Sequence, residues 1–244
     1  MAQVEYFLNI PVDVITYQDI IDNVPTYIKE NKQMTIASVN PQIVLKSKKH
    51  PQALSYVQEA TYRIPDGIGI VKASQMKNGQ INERLTGIEL MYQLLEVANE
   101  LEEKVFLYGA KPLVVKKAKA VIEEQYPKLQ VVGAVNGYTN MSEEDLIKEI
   151  NESQAKFLFV ALGFPKQEEW LHKYAKELNV NILEDVGGSF DVISGSVKRA
   201  PQWFIEANLE WLYRGFTSPR HFKRLFQLPV FMWKIWRDKA GEES

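Results

Sequence analysis

Val105-Phe106-Leu107-Tyr108-Gly109 opens the stretch that decides the fold. Beyond it come an amphipathic helix over residues 112–125, an apolar run at 129–134, a helix over 143–151, a run at 157–162, a helix over 166–178 and a run at 182–186. Short apolar runs bounded by turn residues read as strands buried on both faces, and the segments between them have helical spacing. Repetition of this kind predicts an α/β fold, a Rossmann-like, mostly parallel sheet with helices on both faces. Gly109, Gly163 and Gly187-Gly188 each follow a strand, so these turns line one edge of the sheet.

Upstream, residues 4–8 and 12–15 read as short strands, and 17–30 as a helix that Thr16 and Asp19 cap reciprocally. A strand over 34–38 runs into Asn40-Pro41, where Asn40 suits the N-cap and Pro41 the first turn of a helix over 42–49. Capping and ligand binding are compatible roles for Asn40. A helix over 52–60 leads to a strand over 61–64, and Thr86 opens an amphipathic helix reaching residue 101. Ser142 with Asp145 caps the helix at 143.

Between these elements lies Tyr62-Arg63-Ile64-Pro65-Asp66-Gly67-Ile68-Gly69-Ile70. Pro65 disfavours helix at Ile64, and Gly67 tolerates angles closed to other residues, so strand gives way abruptly to helix with Asp66 in the turn. Pro-Asp-Gly is also a common solvated turn. A carboxylate at the carboxyl end of a strand in an open α/β sheet nevertheless stands at the rim where ligands bind.

The 244 residues, 45% hydrophobic and 25% charged, suffice for one large globular body with an appendage. There is no cysteine, which removes disulfides and thiolate chemistry. His50, His172 and His221 are too scattered for a local metal site, and each reads as a surface or core residue. The first residues do not follow the pattern of a secretory leader, and no apolar run approaches the ~18 residues of a membrane span. The net charge of −2 conceals a basic tail: residues 201–239 hold seven Lys/Arg against three Asp/Glu. A mildly acidic body with a basic end calls for an anionic partner at that end.

The sheet edge invites a nucleotide, yet the usual fingerprints are missing. Gly67-Ile68-Gly69 has Lys72 where a dinucleotide-binding loop has its third glycine, and no Gly-Lys-Ser/Thr occurs. Asp-x-Asp, through which many nucleotide-sugar enzymes hold a metal, is also absent. A departing diphosphate would therefore rest on arginines, backbone N–H groups and helix N-termini, with no metal and no cofactor.

Three further blocks bear on function. In Gly163-Phe-Pro-Lys-Gln-Glu-Glu-Trp170, Pro165 starts a helix, Gln167 lies in its exposed first turn, and Glu168 and Glu169 suit the helix dipole. In Asp185-Val-Gly-Gly-Ser-Phe-Asp191 the glycines allow close backbone approach, and Asp191 suits a base or ribose hydroxyl. The tail carries Arg214, then Arg220, Lys223 and Arg224 on one helical face, then Phe231, Met232, Trp233 and Trp236 among Lys234 and Arg237. A basic helix rich in Trp and Phe, too charged to span, belongs at a bilayer surface. A solvated hairpin or a nucleic-acid-binding module shares the charges but needs less apolar surface, and the small basic surplus argues against nucleic acid as a partner.

In order and spacing, Asn40-Pro41, Pro65-Asp66-Gly67, Arg84-Leu-Thr-Gly87, Gly163 to Trp170, Gly187 to Asp191 with Arg199-Ala-Pro201, and Glu210 to Arg214 with Pro219-Arg220 resemble the WecG/TagA/CpsF family of bacterial glycosyltransferases, family 26. The resemblance covers nearly the whole chain. It is strongest to members that move N-acetylmannosamine from a UDP-sugar donor to the 4-hydroxyl of N-acetylglucosamine on undecaprenyl diphosphate, an early step of wall teichoic acid synthesis. Other members use a uronic acid or glucose donor. Ser38 stands where those nearest members commonly have threonine, and keeps the hydroxyl.

The resemblance implies that Asp66 is the base of an inverting transfer. It implies that Ser38 and Asn40 orient the sugar, that Arg84 and Gln167 hold the donor, and that Gly187 to Asp191 meet the uridine. Arg214, Arg220 and Arg224 would clamp phosphates. Residues 1–195 would then be the catalytic body and 196–244 a helical membrane-targeting appendage, on a cytoplasmic protein held at the inner face of the membrane. The acceptor would be polyprenyl-diphosphate-linked, and a monomer–homodimer equilibrium would accompany docking.

Overall fold

The computed structural model describes residues 3–198, 201, 204 and 227–242. Arg214, Arg220 and Arg224 lie outside the described residues, as do Arg199 and the Glu210-to-Arg214 block.

An antiparallel hairpin, β1 (Val4–Phe7) and β2 (Ile10–Asp13), comes first. Then follow β3 (Met34–Val39), β4 (Tyr62–Pro65), β5 (Lys104–Gly109), β6 (Gln130–Val135), β7 (Phe157–Ala161) and β8 (Ile182–Asp185). These six form one sheet in the order β4-β3-β8-β7-β5-β6, and every pairing in it is parallel. The expected α/β fold is present.

Alternation along β7 shows why the runs are continuously apolar. Phe157 and Phe159 enter one core with Ile36 and Leu107, while Leu158 and Val160 enter the core on the opposite face with Phe106 and Leu183. Both faces are covered by helices, so neither set of side chains meets water. The second core is closed by α3 (Pro41–Lys46), α4 (Pro51–Glu59), α5 (Ile68–Met76), α8 (Glu143–Ser153) and α9 (Lys166–Tyr174). The first is closed by α1 (Tyr17–Ile21), α2 (Val24–Lys29), α6 (Gly87–Glu100), α7 (Pro112–Gln125) and α10 (Ser189–Ile193).

Three elements depart from the sequence reading: the helix expected over 42–49 ends at Lys46 and tightens into a 3₁₀ turn over Ser47–Lys49. The helix expected over 17–30 is two helices, because Pro25 has no N–H to offer the Ile21 carbonyl and its ring would collide with it. The helix expected over 166–178 ends at Tyr174 and tightens into a 3₁₀ turn over Ala175–Glu177.

Near the C-terminus, the helix Gln227–Glu242 packs against α3 and α5. Phe231 and Ile235, four residues apart on one face, are fully buried in the same core as α3 and α5. A Cβ on Gly69 would stand 2.5 Å from Pro41 Cγ and 2.8 Å from Leu228 Cδ1, so this helix approaches α5 where only glycine fits. The opposite face presents Trp233 and Trp236, each more than half exposed, with the Arg237 guanidinium 4.9 Å from the Trp233 ring centroid. Phe231 therefore belongs to the body's core, not to the exposed apolar surface expected of it. Among the described residues no helix is long and apolar enough to cross a membrane.

The topology opens a crevice. β3 and β8 are neighbours, yet α3 after β3 packs on one face and α10 after β8 on the other. Where following helices diverge in this way, the carboxyl ends of the strands are left uncovered.

Candidate active site

Four adjacent strands, β4, β3, β8 and β7, deliver their carboxyl ends to this crevice. Asp66 follows β4. Its N–H donates to the Val39 carbonyl at 2.8 Å and to the Ile64 carbonyl at 2.9 Å, while Leu85 N–H donates to the Pro65 carbonyl at 3.1 Å. Gly67 then takes φ +92°, a conformation L side chains rarely adopt, which allows α5 to begin one residue later. The backbone around Asp66 is thus pinned on both sides, and its side chain is half-buried.

Asn40, at the end of β3, caps a helix and touches Asp66. Its Oδ1 accepts the Gln42 and Ile43 N–H groups at 3.0 and 3.1 Å, capping α3, and its Nδ2 donates to Asp66 Oδ2 at 3.3 Å. The cap fixes which way the amide faces, so its N–H₂ end is committed to the carboxylate. Ser38, two residues earlier, is 8% exposed; its N–H donates to Asp185 Oδ1 at 3.1 Å. A Cβ on Gly87, the first residue of α6, would come within 3.0 Å of Ser38 Oγ. Thr86 caps that helix by accepting the Glu89 N–H at 3.4 Å; its hydroxyl donates to Glu89 Oε2 at 2.6 Å, and its own N–H donates to Tyr17 Oη at 2.7 Å. Burial pushes the Tyr17 hydroxyl up to about 12.

These groups surround a hollow of about 210 Å³ lined by Ser38, Asn40, Asp66, Thr86, Gln167, Glu168, Asp185 and the Gly187-Gly188 turn, among others. Gln167 is 5% exposed, not in an open first turn as its position after Pro165 suggests. The reason is that its Oε1 accepts both Gly163 N–H at 2.9 Å and Gly187 N–H at 3.2 Å, tying the loop after β7 to the loop after β8. Its Nε2 donates to Glu168 Oε1 at 3.0 Å.

Beneath the hollow is a group of acids that the sequence reading did not single out. Glu168 and Glu184 are fully buried and Asp185 is 1% exposed. Burial pushes Glu168 up to about 7, opposed by its hydrogen bonds to its own backbone and to Gln167. It raises Glu184 well above the carboxylate range, with the nearby Asp185 and Asp66 charges adding to the effect. It raises Asp185 likewise, with Glu168 adding to the effect and the Ser38 bonds opposing it. Glu168 Oε2, Asp185 Oδ2 and both Glu184 oxygens have no hydrogen-bond partner among the described residues. The signal was Glu184-Asp185 within Ile182–Asp185, two acids in a strand buried on both faces, where an unpaired charge is costly.

The sequence matches the glycosyl transferase WecG/TagA/CpsF family over residues 5–244. The chain belongs to that family. It is 34% identical over 99% of its length to the N-acetylglucosaminyldiphosphoundecaprenol N-acetyl-beta-D-mannosaminyltransferase of Bacillus subtilis (strain 168), covering 94% of that protein. To the protein of the same description from Staphylococcus aureus (strain NCTC 8325 / PS 47) it is 34% identical, with 95% of this chain and 92% of that one covered. The protein is accordingly a glycosyltransferase.

Among the residues marked by the family's motifs, Ser38, Asn40, Asp66, Gln167 and Gly187 come together at one hollow. Arg84 and Asp191 do not line it. Arg84 is half-buried on the segment leading to Thr86 and takes part in interactions of its own. Asp191 lies in the first turn of α10, where burial raises its pKa and the Lys111 charge opposes the rise.

Proposed function

We propose that this WecG/TagA/CpsF glycosyltransferase moves N-acetylmannosamine from UDP-N-acetylmannosamine to the 4-hydroxyl of N-acetylglucosamine carried on undecaprenyl diphosphate, with inversion and without a metal. The observation that carries the reading is the Asn40–Asp66 contact of 3.3 Å at the hollow formed by four strand ends. The names of the B. subtilis and S. aureus relatives support the choice of substrates.

The acceptor hydroxyl attacks the anomeric carbon from the side opposite UDP, the new C–O bond forms as the bond to UDP breaks, and Asp66 takes the hydroxyl proton. Asn40 keeps the carboxylate turned toward that proton, and Ser38 orients the sugar beside it. Gln167 acts through the loops it ties together: it holds Gly163 and Gly187 where the donor's diphosphate passes, an arrangement that its burial supports. Asp191, outside the hollow, takes the uridine end, and Arg84 steadies the donor.

Diphosphate charge rests on Arg214, Arg220 and Arg224, with the exposed Trp233 and Trp236 face placing the tail, residues 196–244, on the inner membrane surface. A monomer–homodimer equilibrium accompanies that docking. A neutral donor sugar is favoured over a uronic acid because the hollow's described lining includes three acidic side chains, Asp66, Glu168 and Asp185, and no lysine, arginine or histidine to meet a second carboxylate.

The test is incubation with UDP-N-acetylmannosamine and a short-chain analogue of the lipid acceptor, with the anomeric configuration of the product read by NMR. A β-linked disaccharide and UDP release that persists in chelator are expected. Transfer from the uronic acid donor alone, or loss of turnover in chelator, would overturn the corresponding part of the proposal.

A further inference from the structure

We propose that Glu168 and Asp185 form the floor of the donor-sugar subsite and hydrogen-bond the hydroxyl or acetamido groups of the transferred hexose. The inference deepens the function proposed above and rests on it.

Each of these carboxyls has one oxygen tied and the other without a partner among the described residues. Glu168 Oε1 accepts from Gln167 Nε2 at 3.0 Å, and Asp185 Oδ1 accepts from Ser38 N–H at 3.1 Å. Those bonds fix the orientation of the two groups. The second oxygens, Glu168 Oε2 and Asp185 Oδ2, lie on side chains at least nine-tenths buried that line the hollow. Buried acceptors left unsatisfied in a native protein ask for an explanation, and a ligand that completes them supplies one. Glu184 shares their burial but does not line the hollow, so it is not part of the subsite.

Chemistry narrows the ligand. The described lining has no lysine, arginine or histidine to meet an anion, so the diphosphate belongs at the rim, beside the N–H groups of the glycine turns. The second oxygen of each carboxyl accepts, which suits the hydroxyl and acetamido N–H donors of a hexose and is lost when an amide nitrogen replaces it. The hollow's size agrees: about 210 Å³ among the described residues has room for a sugar ring.

The test uses the full chain and two variants, Glu168→Met, which removes both oxygens at similar length, and Asp185→Asn, which keeps the acceptor for Ser38 and replaces the other oxygen. Calorimetry gives the Kd for UDP and for UDP-N-acetylmannosamine, and their ratio measures what the sugar adds. In both variants that ratio should shift against the sugar nucleotide by about tenfold, the value of one lost hydrogen bond in a dry site. In Asp185→Asn the Kd for UDP itself should stay within about twofold, which a general loss of structure would not allow; in Glu168→Met the loss of the Gln167 partner acts on UDP and on the UDP-sugar alike and cancels in the ratio. An unchanged ratio in Glu168→Met overturns the inference, and should that variant not melt cooperatively, an unchanged ratio in Asp185→Asn does so. If the wild-type chain binds UDP but no UDP-sugar, the proposed function fails and this inference with it; if wild-type discrimination survives in both variants, the inference alone fails.

Discussion

Replacing Glu168 with glutamine should make the protein more stable at pH 8 than the wild type while changing it little at pH 5. Glu168 is fully buried, and burial pushes its pKa from 4.5 to about 7. A carboxyl whose pKa is raised on folding binds its proton more tightly in the native state. The resulting stability is fully present below the unfolded value and is lost as pH rises through the folded one. The interval from 4.5 to about 7 is about 2.5 pH units, and at ~1.4 kcal/mol per unit this amounts to roughly 3–4 kcal/mol. Because part of the loss falls below pH 5, roughly 2–3 kcal/mol of it should appear between pH 5 and pH 8. Glutamine keeps the oxygen that accepts from Gln167 and does not titrate, so Glu168→Gln should escape that loss. Urea unfolding of both proteins at the two pH values measures the difference, and thermal melts should show about 5–10 °C at pH 8. A gap between variant and wild type that is the same at pH 5 and pH 8 would refute the reasoning.

Two other perturbations have defined outcomes. Asn40→Ala removes the cap of α3 and the donor to Asp66 together, so calorimetric melts should show a loss of ~1 kcal/mol while kcat falls by a larger factor; unchanged turnover would separate Asn40 from the chemistry. Phe231→Ala deletes a fully buried ring between the C-terminal helix and the body and should cost ~3–5 kcal/mol in chemical denaturation, a loss not expected if that helix were only loosely attached.

Much of the framework was legible because the physics acting on it is local. The apolar runs that became β5, β7 and β8 were readable since parallel strands covered on both faces tolerate few polar residues, and the caps at Thr16, Asn40, Thr86 and Ser142 were readable from side chains acting on neighbouring N–H groups. Asp66 could be placed at the rim because Pro65 and Gly67 permit few backbone paths. What was not legible depends on contacts between distant segments. Gln167 looks solvent-exposed from its place in a first turn, but Gly187, twenty residues on, covers it. Glu168 suits a helix dipole locally, and only the sheet order, which sets β7 beside β8, brings it near Asp185. Phe231 reads as part of an exposed aromatic face until Ile235 and the α3–α5 surface give it a place inside.

The central claim is that the half-buried carboxylate of Asp66 takes the proton from the acceptor hydroxyl. Asp66→Asn tests it most directly, because the amide keeps the size of the side chain and removes the basic site. With donor and lipid-linked acceptor both saturating, kcat should fall by ~10²–10⁴ while the Kd for UDP is unchanged. Turnover of the asparagine variant within a few-fold of wild type would contradict the account.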